Sequence, residues 1–183
     1  MPGTVSPRGA VGYSPRVPPN SHCADCGAPY ASAVDWPRTC TSCGATAYRN
    51  PLPVAVALQP VHDADGTGLV VITRTVQPEA GKVALPGGFV DFQETWQEAA
   101  VRELREETRI EAEASTVRLA DALSSSSGHL LVFALLPTLA ADVLPPSAPT
   151  AETTGWHLLR APDELAFPLH TAAVANWFAG RYA

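Results

Sequence analysis

The chain predicts an α/β fold: a layered α/β/α sandwich around a mixed sheet, preceded by a small cysteine-rich ribbon. Three observations carry this prediction. Short apolar runs of strand period recur from residue 53 onward. Two helical stretches accompany them, as flanking layers require. All four cysteines fall within residues 21–49. With 183 residues, 46% of them hydrophobic, the chain can build one main domain with a real core and a small appendage.

Residues 1–20 hold eight Pro and Gly and almost no large apolar side chain, so burial cannot offset ordering and the segment reads as a flexible tail. Residues 21–49 form the ribbon, and Arg49-Asn50-Pro51 is a short linker, because a residue before proline avoids helix. The main domain spans 53–183. In it Val54, Val56 and Leu58 alternate with Ala and Gln as a first strand. His62 to Gly68 is a hairpin loop carrying Asp65-Gly66, and Leu69 to Arg74 is the returning strand. Thr75 to Gly88 reads as a loop in which Val83-Ala84-Leu85 is extended. A helix follows from Thr95 to Thr108, with Trp96, Ala99, Ala100 and Leu104 inward and its acids outward. Val117 to Leu123 and His129 to Leu136 are two more strands, and Pro145 to Pro149 is a loop. Trp156 to Leu159 is the last strand, followed by a helical turn at Pro162 to Leu165 and a helix over Thr171 to Arg181.

Composition excludes some function classes. A net charge of −6 argues against non-specific nucleic-acid binding, which neutralises phosphates with Lys and Arg. No stretch has the length of a membrane span, and no apolar run precedes the first cysteine as a secretory signal would. The expected location is the cytoplasm.

Two C-x2-C knuckles, Cys23/Cys26 and Cys40/Cys43, are each followed by glycine. Such turns let two thiolates converge, and two of them complete a tetrahedral four-sulfur Zn²⁺ site. A closed site of this kind is a structural staple for a segment too short to fold on its own core. Disulfides are the competitor, disfavoured in the cytosol, and His22 stands next to Cys23 as an alternative ligand. Between Cys26 and Cys40 the one basic residue is Arg38, which argues against a nucleic-acid reader.

Glu103, Glu106 and Glu107 stand at i, i+3 and i+4, on one face of the predicted helix. Like charges so placed repel and call for a countercharge. Arg102 and Arg105 are at hand for a solvated face, and Glu98 to Arg102 is an ordinary i,i+4 pair. On the acids alone the solvated face is the favoured reading, although the hard oxygens also suit Mg²⁺ or a similar divalent cation that keeps waters for a phosphate substrate.

The wider pattern favours the second reading. Gly88, Glu94, Arg102, Glu103, Leu104, Glu106, Glu107 and Ile110 meet eight of the nine specified positions of G-x5-E-x7-R-E-U-x-E-E-x-G-U, with U aliphatic. The stretch resembles the Nudix box. It departs at Arg109, where the pattern has glycine, so the helix exit must accommodate a side chain. Ribbon, Tyr48-Arg49-Asn50-Pro51, strand and box together resemble the zinc-ribbon Nudix hydrolases, the group that includes NADH pyrophosphatases, over residues 21–180.

The resemblance implies hydrolysis of a diphosphate linked to a nucleoside, as in NAD(H), ADP-ribose or a similar compound. It implies Glu103, Glu106 and Glu107 as ligands of Mg²⁺ or Mn²⁺, with Arg102 and Glu94 paired to orient Glu103. Gly88 permits the turn before the helix, Gly87 helps shape the metal edge, and both glycines are candidate substrate-binding positions. Family members carry a further acid outside the box as base or extra ligand; Glu152 is the candidate, against the plain reading of a solvated loop glutamate. The S-Q-P-W-P-F-P-x-S motif of NADH pyrophosphatases is missing, its region reading Asp121 to His129. His129 is either a substrate contact or a structural residue. The competing class is a nucleotide-sensing module that binds without cleaving, and an eroded acid set would favour it. The resemblance also admits a homodimer.

Overall fold

A computed structural model describes residues 19–31 and 35–182 and divides the chain into two compact units between Asn50 and Pro51. The tail expected over 1–20 lies, for residues 1–18, outside the described residues.

In the first unit the same turn occurs twice. Gly27 N–H donates to the Cys23 carbonyl at 2.9 Å, and Gly44 N–H donates to that of Cys40 at 2.9 Å. Cys23 and Cys40 N–H groups donate in turn to Ala28 and Ala45, each at 2.8 Å. Gly27 and Gly44 take φ of 73° and 77°, which explains why each knuckle ends in a residue without Cβ. Strands β1 (Arg38–Thr39) and β2 (Thr46–Ala47) pair antiparallel around the second knuckle.

The second unit contains β3 (Leu52–Leu58), β4 (Pro60–Asp63), β5 (Gly66–Arg74), β6 (Val83–Ala84), β7 (Gly87–Phe89), α1 (Trp96–Thr108), β8 (Arg118–Ser124), β9 (His129–Leu135), β10 (Leu139–Ala140), β11 (Thr153–Leu159) and α2 (Pro168–Phe178). One sheet runs β7-β3-β9-β8, with β3 and β9 parallel over seven residues and the outer pairs antiparallel. The other runs β10-β4-β5-β11, with β6 also on β5 and β10 parallel to β4. Both sheets are mixed or carry a parallel edge, as predicted.

Strand parity places the helices on opposite faces. Ala55 and Ala57 of β3 and Val70 of β5 pack with Ala99, Ala100 and Leu104 of α1. Their neighbours Val56, Leu58, Leu69 and Val71 pack with Ala173 and Val174 of α2. Alanines on both sides of the α1 contact bring that helix close to β3. This closeness puts the helix's carboxylates within reach of the sheet edge.

α1 is bounded by its own sequence. Thr95 Oγ1 accepts from Glu98 N–H at 3.3 Å while Glu98 Oε2 accepts from Thr95 N–H at 2.8 Å, a capping box. At the exit Arg109 adopts φ 64° and ψ 12°, the left-handed cap a glycine would favour, and its N–H bonds the Arg105 carbonyl at 2.7 Å. Thr108 Oγ1 donates to the Leu104 carbonyl at 2.5 Å and accepts from Ile110 N–H at 3.1 Å, adding side-chain bonds across the same exit. The cap geometry therefore survives the missing glycine.

Several expectations need correction. The hairpin loop is shorter than His62 to Gly68, because β4 continues to Asp63 and β5 begins at Gly66. Part of the expected Thr75–Gly88 loop is strand, since Gly87 and Gly88 begin β7 and pair with β3. β11 begins at Thr153 rather than Trp156. Pro162 to Leu165 makes no helical turn; α2 instead starts at Pro168, whose fixed φ suits the first helical position, and stops at Phe178. The acids of α1 do not all face outward. Glu107 lies seven residues after Ala100 and three after Leu104, on the same inward stripe, and is buried. Among the described residues no helix is long and apolar enough to cross a membrane.

Replacing Arg109 by glycine relieves a left-handed side chain that costs about 1–2 kcal/mol, less the entropy glycine adds to the unfolded chain. Arg109→Gly should therefore raise stability by about 1 kcal/mol in urea denaturation, and an unchanged or lower midpoint would mean Thr108 already removes the strain.

Candidate active site and metal centre

The helix and the glycine edge meet at one guanidinium. Arg102 Nε and Nη2 donate to the two oxygens of Glu94 at 2.8 and 2.9 Å, a two-pronged pair. Nη2 also donates to the Phe89 carbonyl at 3.0 Å, and Nη1 donates to Glu103 Oε1 at 2.7 Å and reaches Glu106 Oε2 at 3.5 Å. Glu94 Oε2 accepts from Asp91 N–H at 3.0 Å as well. The turn before α1, the end of β7 and two acids of the helix thus share one cation. Its hydrogen bond to Glu94 holds that carboxyl below the usual range.

Close approach of backbone requires Gly87, and Gly88 leaves room for the Glu103 carboxylate. A Cβ on Gly88 would stand 2.5 Å from the Glu103 carboxyl carbon, and one on Gly87 would stand 2.5 Å from the Ala55 carbonyl oxygen. Gly87 N–H donates to Glu107 Oε2 at 3.0 Å. Burial raises the Glu103 carboxyl despite Arg102. Burial also pushes Glu107 up to about 8, opposed by the Gly87 N–H and reinforced by the charges of Glu103 and Glu152. Glu106 is half exposed.

Glu152 lies on an exposed turn, yet its charge acts on both Glu103 and Glu107. Its backbone carbonyl accepts from Thr75 N–H at 2.8 Å. The next residue, Thr153, is fully buried, and its hydroxyl donates to the Glu107 carbonyl at 3.1 Å. The structure therefore brings Glu94, Arg102, Glu103, Glu107, Gly87 and Gly88 into one bonded assembly, with Glu106 at its rim and Glu152 coupled to it by charge and by the hydroxyl of its neighbour Thr153. A groove of about 550 Å³ opens beside the clamp, lined in part by Asp91, Glu94, Arg102 and Arg105. His129 lies apart from these acids, its Nδ1 2.9 Å from Ser127 Oγ and its ring 5.7 Å from that of Phe89.

Two supporting residues escaped the sequence reading. Thr153 had no motif to mark it. His170 is buried in α2, where Nδ1 accepts from Leu85 N–H at 3.3 Å and so fixes the strand leading to Pro86 and Gly87. Burial, with the charge of Arg74, drives its pKa down to about 3, leaving a neutral ring for that bond. A polar residue at the third position of an apolar helix was the available signal.

In the ribbon, the sulfurs of Cys23, Cys26, Cys40 and Cys43 all lie within 4.8 Å of one another. Cys23 and Cys43 are 3.7 Å apart and Cys26 and Cys40 3.6 Å apart, too far for disulfides. Sulfurs bound at about 2.3 Å to a tetrahedral Zn²⁺ stand roughly 3.8 Å from each other, so the quartet fits that ion. His22 is outside the quartet, its Nδ1 2.9 Å from Ser21 Oγ. N–H groups of Cys43 and Ser42 pull Cys40 down to about 6, while against the lowering Ala45 N–H the neighbouring thiols and burial push Cys43 up to about 12, so the crowded quartet does not ionise as a whole without a countercharge.

Fold and site together define an α/β/α domain whose acidic helix is clamped behind a glycine edge. The NUDIX domain matches residues 51–179, and the chain belongs to that family. The ADP-ribose pyrophosphatase of Methanocaldococcus jannaschii is 46% identical over 61 residues, 33% of this chain and 36% of that protein. A Nudix hydrolase of Schizosaccharomyces pombe is 41% identical over 56 residues, 30% and 27% of the two chains. The chain thus spans about a third of the length of these curated relatives. Among solved structures, a NUDIX hydrolase from Nitrosomonas europaea superposes with a TM-score of 0.66 at 21% identity, covering 88% of this chain and 92% of that one. The NUDIX domain of Shewanella oneidensis NrtR, complexed with ADP ribose, gives 0.51 at 16% identity over 61% and 73%. These likenesses concern the fold.

Glu107 binds its proton more tightly folded than unfolded, so its stabilising contribution is complete below 4.5 and is lost as pH rises through about 8. Without added divalent cation, the melting temperature should fall across that window, and Glu107→Gln should flatten the slope; a wild-type profile already flat would refute the assignment. Protein made in zinc-containing medium should carry about one Zn²⁺ per chain by elemental analysis, and Cys23→Ser should lose most of it.

Proposed function

We propose that this chain is a divalent-cation-dependent hydrolase that splits the diphosphate linkage of a nucleoside diphosphate derivative, with ADP-ribose the first substrate to test. One observation carries the reading: Arg102 fixes Glu103 against Gly88 while Gly87 N–H fixes Glu107, lining carboxylates along one open strand edge. The partial identity to an ADP-ribose pyrophosphatase supports the substrate class. An intact set of acids favours cleavage over a module that binds alone. The absent S-Q-P-W-P-F-P-x-S motif leaves NADH without specific support.

The donor set fits a hard cation. Glu103, Glu106 and Glu107 offer oxygen ligands from one helix face, and buried Glu107 receives an N–H dipole from the backbone. Among the described residues the cysteine quartet alone gathers its ligand atoms within 4.8 Å, so the glutamates make no tight cage. That openness suits Mg²⁺ or Mn²⁺, which keep waters and bind with the substrate's phosphates. When bound, such a cation neutralises phosphoryl charge and acidifies a water.

The protein's own groups do the rest. Glu103, Glu106 and Glu107 hold the cation, Arg102 aims Glu103, and Glu94 aims Arg102. Gly87 and Gly88 leave the strand edge bare, so a diphosphate can approach the carboxylates closely. Glu152 takes the proton of the attacking water. The Cys23, Cys26, Cys40 and Cys43 quartet would hold Zn²⁺ as a closed structural site.

Incubation with ADP-ribose, NAD, NADH, dinucleoside polyphosphates and nucleoside triphosphates, with Mg²⁺ or Mn²⁺, should yield nucleoside monophosphate from the cleaved diphosphate. Glu106→Gln changes a half-exposed side chain, so it should lower kcat by at least about 100-fold with an unaltered melting curve. Full turnover by that variant would sink the assignment.

A further inference from the structure

The turn bearing Glu152 is bonded far more closely than an exposed loop requires. Thr150 Oγ1 accepts from the N–H groups of Glu152 and Thr153, each at 3.2 Å, and lies 3.1 Å from Thr153 Oγ1. Since Thr153 spends its own hydroxyl proton on the Glu107 carbonyl at 3.1 Å, Thr150 must donate to Thr153. Two hydroxyls in series thus link the backbone of Glu152 to the last turn of α1. Thr75 closes the other side, its N–H on the Glu152 carbonyl at 2.8 Å and its Oγ1 on that of Ala151 at 3.3 Å.

A strand irregularity makes this link geometrically feasible. Thr153 pairs with Arg74 and Trp156 with Ile72, so β11 uses three steps where β5 uses two. In a regular strand residues 153 and 156 would point to opposite faces. The extra residue turns both toward α1: Thr153 bonds Glu107, and Trp156 packs into the core cluster of that helix. Gly155 sits in the bulge at φ 124°, where a Cβ would meet Ser147 Oγ at 2.6 Å, and that same Oγ accepts from Trp156 N–H at 2.8 Å. Bulges commonly re-aim side chains beside functional sites.

We propose that Thr153, turned inward by the Gly155 bulge and relayed through Thr150, is a positioning residue that holds the Glu152 carboxylate opposite the acids of α1. This rests on the reading of the chain as a hydrolase in which Glu152 acts on the water. Thr153→Val keeps the shape and removes the hydroxyl; Thr153→Ser restores it.

Steady-state kinetics with whichever of those nucleotides the wild-type chain cleaves, well below each variant's melting temperature, decide the matter. Thr153→Val should lower kcat roughly tenfold with KM changed less than about twofold, and Thr153→Ser should recover most of it. In a Glu152→Gln background, Thr153→Val should cost little more, because the group it positions is gone. An equal loss in both backgrounds would show that Thr153 merely supports α1 and would overturn the proposal, as would an undiminished kcat in Thr153→Val. Should that variant not fold, Thr150→Val breaks the same relay and is read by the same cycle. Full activity in Glu152→Gln would overturn this proposal and leave the hydrolase intact, whereas a wild-type chain that cleaves none of the substrates overturns both.

Discussion

The acidic face of the second unit is organised by a single cation, Arg102, bonded in three directions. Three glutamates on adjacent positions of a helix repel one another, and two of them are further disfavoured by burial. Arg102 answers that repulsion while also gripping Glu94 and the Phe89 carbonyl. Charge-assisted bonds of this geometry are directional as well as strong. They convert a helix face, a turn and a strand end into one rigid body. The glycine edge follows from the same arrangement, because any side chain at Gly88 would occupy the space Arg102 assigns to Glu103.

Much of this was legible in advance, and for identifiable reasons. α1 announced itself through Trp96, Ala99, Ala100 and Leu104 at helical intervals, whereas its Thr95–Glu98 capping box went unread. The cysteines announced the ribbon, since spacing and following glycine encode a local turn. The limits were equally physical. Gly87 and Gly88 look like loop residues because their strand character comes wholly from pairing with β3, remote in sequence. Glu107 read as a solvent-facing acid because its charge outweighs its position on the inward stripe. Thr153 and Gly155 carry no local signal, as their importance arises from a register shift against β5. Arg109 illustrates the converse: the broken box position left the cap intact because backbone geometry, rather than residue type, defines it.

The two units are stabilised by different means. The larger one hides alanines and branched side chains on both faces of β3, so its cohesion comes from apolar burial. Among its described residues the ribbon has two short strands and converging cysteines, and its only buried side chains are Cys23 and Cys40. Zn²⁺ held by that quartet would supply for such a segment what area supplies for a domain.

The parallel pairing of β3 with β9 joins residue 52 to residue 129 and residue 58 to residue 135. A ribosome must therefore emit residue 135 before the central ladder can zip fully. Until then β3 has its apolar flanks uncovered and half its amide groups without a mate, the condition in which nascent chains stick to one another. Slow, late closure of this kind makes the order of synthesis itself a hazard, and it ties soluble yield to how long the growing chain waits for its second half.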